Sequence, residues 1–361
     1  MLKSTISMDK LVENMSIAGV PGLVFSTIEN RTVTNTCAVG LKNVKTKEPM
    51  SQNTVLQGAS LSKPPFAYSV LLLQREGKID LDKPLHDYLA LPEAEQIPQL
   101  KKITTRQALT HSTGLQNWRF NRDDTFTFAF ESGTDFNYSG EGFFYVQRMV
   151  EAITGQSIES VLQEHVLQPL TMTNSSYIWR AQHEPLISMG HQQRDQVTLS
   201  WNAWQGRTML TLAAQRQKPL EKWLYADFVA AFPQIHPDLD PLPNNMIPNV
   251  AGSLLTTAPE YAQFMVRLLD PNDEIAQQML VPQHKLNSPL DWGLGIGLET
   301  VNGESCFWHW GETGGFENFM WGNPATGDGI VILTNANRGL KICERIVRTV
   351  TGHDLAAFLW L

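Results

Sequence analysis

A serine followed three residues later by a lysine has a simple mechanical meaning on a helix. Residues i and i+3 share a face about one turn apart, so the amine can reach the hydroxyl. The spacing occurs at Ser60-Leu61-Ser62-Lys63 and again at Ser7-Met8-Asp9-Lys10. At a helix N-terminus the positive end of the dipole disfavours an ammonium, and burial disfavours it further. A lysine that titrates near ~10.4 in water could then be neutral enough to act as a base. The serine becomes a nucleophile without a histidine. Context separates the two motifs: Ser60 opens an apolar helix after a glycine-containing approach, whereas Ser7 opens a surface helix and reads as a cap beside a solvated lysine. Taken alone, the Ser60 motif leaves two readings open, chemistry or a second cap.

The other candidates are weaker. His111 reads as a core hydrogen-bonder in a turn rather than a base. His183 and His191 have no third ligand at a metal-like spacing, so no metal is expected. Asp123 and Asp124 are adjacent carboxylates on a loop, and solvated charge explains them better than glycosidase chemistry. The glycines of 293–298 lack the spacing and the strand-to-helix context of a dinucleotide fingerprint. Trp201, Trp204 and Trp223 read equally well as core, interface or substrate wall.

These residues must be held by an element framework, and the chain supplies one. An amphipathic helix starts near Ser7 and ends near Gly19 or Pro21. Two strands follow around a turn at Glu29, Asn30 and Arg31. The helix after Ser60 carries Pro64 and Pro65 in its first turn, where missing N–H groups cost little, and is apolar on every face from Phe66 to Leu73, the mark of a buried helix. Helical spacing recurs from Arg106 to Thr110, Glu141 to Thr154, Ser157 to Val166 and Pro259 to Leu269. The stretch between His191 and Asn249, with five prolines in 233–248, reads as an extended loop or insertion packed over something. The last third breaks into short apolar runs separated by Gly, Asn, Pro and Asp, the pattern of antiparallel strands, before closing helices from about Leu340. Strands at both ends and helices between predict an α/β (α+β) fold: an antiparallel sheet flanked by terminal helices, with an inserted helical domain. The expected division is 1–58 with 285–361 as the sheet domain and 59–284 as the mainly helical one, including a lid or insertion at about 195–247.

Composition narrows the partners. The 28 basic against 36 acidic side chains give a net charge of −8, which argues against nucleic acid and anionic membranes. No run approaches the ~20 apolar residues of a membrane span. Cys37, Cys306 and Cys343 are too few and too scattered for a disulfide framework, and one bridge at most is compatible with them. Asp9, Lys10, Glu13 and Asn14 interrupt any signal-peptide core. The expected location is cytoplasmic, or periplasmic or secreted if sequence was trimmed ahead of the domain. A homo-oligomer is compatible with all of this.

The segment from Gly58 to Leu89 resembles the nucleophile region of the β-lactamase-related serine hydrolases: class C β-lactamases, DD-peptidases and family VIII esterases. The stretch 109–115, Leu-Thr-His-Ser-Thr-Gly-Leu, is similar to the family's Leu-Thr-His-Thr-Ser-Gly-Leu. The segment 133–155 resembles the one carrying the family's catalytic tyrosine, here Tyr138. Residues 249–269 match the region before a long helix, and 309–335 resemble the third motif with its two following strands, with His309-Trp310-Gly311 in place of Lys-Thr-Gly or His-Thr-Gly. The matches run in order from about residue 10 to 350, with 195–247 unmatched. The resemblance implies acyl transfer through an acyl-enzyme on Ser60, assisted by Lys63, with Tyr138 relaying the proton to the leaving group. It also implies oxyanion donors at the backbone of Ser60 and Glu312, and no cofactor. Two departures bear on substrate. Position 140 is Gly where an asparagine amide normally holds the acyl side chain and orients the lysine. His309, read as partly cationic and able to attract an anion, and Trp310, read as an apolar wall, replace the residues that often meet a substrate carboxylate. Both changes point to a small ester or amide without that carboxylate. The rival readings are a β-lactamase, a D-amino-acid peptidase or penicillin-binding protein, an acyltransferase, and, from another class, a non-catalytic ligand-binding protein that keeps the fold.

Overall fold

The computed structural model describes residues 6–119, 125–193, 196–198, 203–235 and 247–361. The first strands in chain order are β1 (Gly22–Glu29), β2 (Thr32–Asn43), β3 (Glu48–Pro49) and β4 (Leu56–Ala59). Then come β5 (Gly190–Gln193), β6 (Gln196–Thr198), β7 (Leu254–Thr256), β8 (His284–Asn287) and β9 (Leu290–Trp292). The last are β10 (Gly297–Val301), β11 (Glu304–Thr313), β12 (Phe316–Asn323) and β13 (Asp328–Thr334). Nine of them form one sheet in the order β3-β2-β1-β13-β12-β11-β10-β9-β8. Every neighbouring pair is antiparallel, and β1 from one end of the chain lies beside β13 from the other. The β1–β2 hairpin turns on Asn30 and Arg31, both at positive φ (47° and 62°), the geometry that lets a two-residue loop follow the strand twist.

Both faces of the central strands β1, β12 and β13 are covered, which is why the run at β13 is apolar throughout, whereas β2 and β8 toward the edges are largely exposed or half-buried. Along β13, Ile330 and Ile332 point to one face and Val331 and Leu333 to the other. The first face packs on the terminal helices α1 (Met8–Ala18) and, at the far end of the chain, Gly339–Thr351, through Leu11, Met15, Ile342 and Ile346. The second packs on the helical half. There α2 (Lys63–Arg75), α3 (Thr105–Leu109), α4 (Gly140–Thr154), α5 (Ile158–Leu162) and, beyond the insertion, Ala258–Leu268 and Glu274–Met279 surround Phe66, Val70 and Leu71. Each such fully buried side chain contributes about 1.5–3 kcal/mol. The antiparallel sheet, terminal helices and inserted helices are the expected fold.

Of the two expectations for the stretch between His191 and Asn249, an extended loop or an insertion packed over something, the first does not hold for the described part. That part holds α6 (Ala203–Gln215) and α7 (Tyr225–Ile235). Met209, Leu212 and Ala213, and likewise Phe228, Ala231 and Phe232, recur at i, i+3, i+4 and bury against Phe144 of α4 and Ile178. Trp223 is core here, its indole N–H donating to the Lys218 carbonyl at 3.0 Å. Trp201 and the Asp123–Asp124 pair lie outside the described residues, as does the Trp204 side chain. Ser7 occupies the N-cap position of α1, but its hydroxyl makes no capping bond. The three cysteines are free. Among the described residues no helix is long and apolar enough to cross a membrane, and no group of three or more His, Cys, Asp or Glu could hold a metal ion.

Candidate active site

The approach to Ser60 is a strained strand-to-helix turn. Ala59 closes β4 at φ 49° and ψ −127°, a region L-residues rarely occupy and one that stores about 1–3 kcal/mol. Ser60–Ser62 form a single tight turn before α2, with Pro64 and Pro65 at its start as expected. Buried partners from far along the chain over-determine this turn. The Tyr261 hydroxyl donates to the Leu61 carbonyl (2.9 Å), the Tyr177 hydroxyl donates to the Ser62 carbonyl (2.6 Å), and the Leu254 N–H donates to Ser62 Oγ (2.9 Å).

Lys63 is 1% exposed, and its Nζ lies 2.9 Å from Ser60 Oγ while donating to the Ala251 carbonyl at 2.8 Å. Burial holds its pKa well below the ordinary lysine range. A neutral amine so placed has a lone pair left for the serine proton. The Nζ also sits 4.7 Å from the centre of the Tyr138 ring. The buried Tyr138 hydroxyl makes no hydrogen bond of good geometry, and burial raises its pKa, with the nearby Ser60 hydroxyl offsetting part of the rise. Ser60, Lys63 and Tyr138 therefore meet.

The third segment lies on β11. Thr313 pairs with Phe316 across a two-residue turn, so the hydrogen-bonded pairs toward β12 fall on odd-numbered residues of β11. Toward β10 they fall on even ones, and that pairing stops at Trp308. The backbone N–H of Glu312 thus points to the open edge beyond β10. Ser60 opens its helical turn, so its N–H has no intrahelical acceptor either. Gly311 admits no side chain, since a Cβ there would lie 2.0 Å from the Gly58 carbonyl oxygen; this close approach brings β11 against β4. Ser60, Tyr138, Trp310 and Glu312 line one cleft of about 370 Å³, together with Asn117, Thr313, Gly314 and Asn337. Two other clefts, of about 570 and 380 Å³, lie away from these groups.

His309 differs from expectation. Its ring is fully buried, its Nδ1–H donates to the Trp310 carbonyl at 2.7 Å, and burial beside Lys63 lowers its pKa to about 3. It is a neutral group behind the cleft wall, not a cation facing it. Its bond satisfies a carbonyl that also points to the open edge. Trp310 does face the cleft, held by ring contacts to Tyr138 (4.7 Å) and Trp360 (5.7 Å). His111 is a buried core group at φ 55°, accepting the Ser139 N–H at 3.0 Å on Nδ1, and burial lowers its pKa well below the usual value.

Gly140 opens α4 and does not line the cleft. A Cβ there would lie 2.3 Å from Cζ2 of Trp118 and 2.4 Å from its Cε2, so the indole occupies the volume a side chain would need. Asn117, Trp118 and the carbonyl clamps from Tyr177 and Tyr261 escaped sequence reasoning. The sole local signal for the first two is their position just after the 109–115 stretch.

Comparison with known proteins agrees with this architecture. The chain is 26% identical over 176 residues to an uncharacterised protein of Alkalihalophilus pseudofirmus, a match covering 49% of each chain. It spans about half the length of that curated relative. Among solved structures it resembles the octameric penicillin-binding protein homologue from Pyrococcus abyssi (TM-score 0.71, 18% identity, covering 98% of this chain and 80% of that one). It also resembles a class C β-lactamase (TM-score 0.71, 16% identity, 96% of each chain). The Beta-lactamase family model matches residues 8–347. With that match over nearly its whole length, the chain belongs to the β-lactamase family of serine hydrolases and has the penicillin-binding-protein-like fold.

Proposed function

We propose that this chain hydrolyses a small ester or amide through an acyl-enzyme on Ser60. The observation that carries the reading is the Lys63 amine, 2.9 Å from Ser60 Oγ in a burial that disfavours its charge. In this reading Lys63 accepts the Ser60 proton as Oγ attacks the acyl carbonyl. The backbone N–H groups of Ser60 and Glu312 stabilise the developing oxyanion, and Tyr138 relays the proton to the leaving group. Water then attacks the acyl carbon and releases the acid, regenerating Ser60. His309 and Gly311 shape β11 behind the site, and Trp310 is its apolar wall.

The cleft lining favours a substrate without a carboxylate. Its one charged side chain among the described residues is Glu312, whose pKa is raised by burial and by Glu317. With His309 neutral, no cation in the lining answers a substrate anion. That is the specific reason to rank an esterase or amidase above a penicillin-directed enzyme. The sheet and the inserted helices act in this reading as two parts, 1–58 with 285–361 and 59–284, meeting at the cleft.

The test is intact-protein mass after incubation with a fluorophosphonate, a p-nitrophenyl ester and a penicillin, for wild type and Ser60→Ala. Serine-dependent adducts with ester turnover and little penicillin hydrolysis are expected. A long-lived penicillin adduct replaces the reading with a penicillin-binding protein. No adduct from any probe replaces it with a binding protein.

A further inference from the structure

Trp310 and Glu312 stand two residues apart on β11, so their side chains rise from the same face of the strand, about 6.5–7 Å apart along it. Both line the Ser60 cleft. The Trp310 indole is held by Tyr138, 4.7 Å away and tilted by 41°, and by Trp360, 5.7 Å away and edge-on at 79°. It is a fixed aromatic surface, ready to receive a group without first being ordered.

Glu312 is a carboxylate that the fold leaves unanswered. Among the described residues it makes no hydrogen bond and no ion pair. Its cross-strand neighbour is a second carboxylate, Glu317, in a pair without mutual hydrogen bonds, the kind that brings side chains closest. Like charges set opposite one another weaken a sheet. Glu317 has a donor of its own, the Leu340 N–H at 2.9 Å in the first turn of helix Gly339–Thr351, so the helix end favours its charge. Glu312 has no such relief. Partial burial and Glu317 both hold its pKa above the ordinary carboxylate value, and no basic side chain acts against them. The Lys63 amine is turned instead to Ser60 Oγ and the Ala251 carbonyl.

An aromatic face and an unpaired carboxylate on one side of a strand suit one chemistry. An anion is repelled by Glu312, and a hydrocarbon uses the indole alone. A cation uses both, since it is attracted within about 6 Å of the indole centre and within about 4 Å of the carboxylate. The separation along β11 lets one ammonium meet both conditions. The net charge of −8 adds a field that draws cations toward the protein.

From this geometry we propose that the cleft selects esters or amides bearing an ammonium group, a quaternary one included, a few bonds from the scissile carbonyl, with Trp310 and Glu312 as its specificity-determining pair. This narrows the substrate class of the Ser60 reading and rests on it.

The test uses two matched ester pairs in which carbon replaces the charged nitrogen. Acetylthiocholine against S-(3,3-dimethylbutyl) thioacetate places the cation on the leaving group. The p-nitrophenyl esters of 4-(trimethylammonio)butanoate and 5,5-dimethylhexanoate place it on the acyl group. The readout is the cationic-to-neutral ratio of kcat/KM in Glu312→Gln and Trp310→Leu, relative to wild type, so intrinsic reactivities and general effects on Ser60 cancel. In the pair that matches the site, Glu312→Gln should lower the ratio about 2- to 5-fold at low salt, with the loss shrinking as salt is added. Trp310→Leu should lower it about 2- to 5-fold with little salt dependence. The pair that responds locates the cation on the acyl or the leaving side. Unchanged ratios in both pairs for Glu312→Gln overturn the proposal, even if Trp310→Leu lowers them, and leave Trp310 as an apolar wall. If Trp310→Leu fails to fold, the exposed Glu312→Gln decides alone. A Ser60-dependent fluorophosphonate adduct without turnover of either cationic ester overturns the proposal but not the Ser60 reading. No adduct and no Ser60-dependent turnover overturn both.

Discussion

Replacing Gly140 by alanine should damage the protein even though alanine is the better helix former. The new Cβ would meet three Trp118 ring atoms at 2.3, 2.4 and 2.8 Å, where ordinary contact begins near 3.4 Å. The ring would have to move by about an ångström, and it cannot do so freely. Trp118 packs against two hydrophobic clusters at once, and its neighbours Asn117 and Arg119 are both bonded to the start of α4. Overpacking of this kind costs about 1–3 kcal/mol. The propensity gain of alanine over glycine, at most about 1 kcal/mol, is smaller still at a first helical position. A net loss of about 1–2 kcal/mol is expected, equivalent to a melting temperature lower by about 1–3 °C for a chain this large. Activity on esters should fall too, because the strain falls on the segment carrying Asn117. The decisive assay is a double-mutant cycle with Trp118→Ala in urea denaturation. Space opened at Trp118 should make Gly140→Ala harmless, giving a coupling of at least about 1 kcal/mol. Additive effects, or an unchanged melting temperature in Gly140→Ala alone, would refute the idea that the indole occupies the missing side chain's volume. Gly140→Asn, which restores the motif letter, should then fail to raise penicillin hydrolysis.

Three further outcomes follow from the electrostatics. Because burial depresses the Lys63 pKa, kcat/KM should rise with pH through an inflection well below the ~10.4 of a free lysine, and Lys63→Arg, always charged, should lose about 10²–10⁴-fold; full activity in that variant would remove Lys63 as the base. Glu151, buried under α7 and accepting the Tyr225 N–H at 3.0 Å, has its pKa raised by burial from 4.5 to about 7. Its ionisation opposes folding, so stability should fall as pH rises through that window, and Glu151→Gln should recover as much as about 3 kcal/mol at pH 8 and almost none at pH 4, read from melting curves; parallel curves for the two proteins would sink this. Glu312→Gln should raise kcat/KM for a succinate half-ester against a neutral ester by about fivefold at low salt, about 1 kcal/mol, with the gain shrinking as salt is added; an unchanged ratio would show that the carboxylate does not face the acyl group.

What could be read in advance, and what could not, divides by distance along the chain. The hairpin at Asn30 and Arg31, the run 329–334 and the proline-opened helix after Ser60 are written in periods of two to four residues, and they lie where those periods put them. The helices α6 and α7 carry the same spacing, but Pro233 inside α7 and the prolines after it fit an extended loop or insertion equally well. The environment of the candidate site has no such local record. Ser62 and Leu61 are held by Tyr177 and Tyr261, 115 and 200 residues away, and Asn117 meets Gly140 across 23. His309 looked ionisable because its residue type is; its burial depends on a strand edge and a neighbouring lysine that no local pattern reveals. Position 140 makes the same point most sharply. Read along the chain, Gly140 is a deletion of function, since the letter that should carry an amide carries nothing. Read in space, an indole takes up the vacant volume and an amide stands one residue before it, bonded to the glycine that replaced it. Volume and hydrogen-bonding capacity are properties of a site, and neighbours can exchange them. A motif letter therefore counts as lost only after the space around it has been searched for what fills it, here the Trp118 indole, which is why Gly140→Ala paired with Trp118→Ala, and not Gly140→Asn, is the informative substitution.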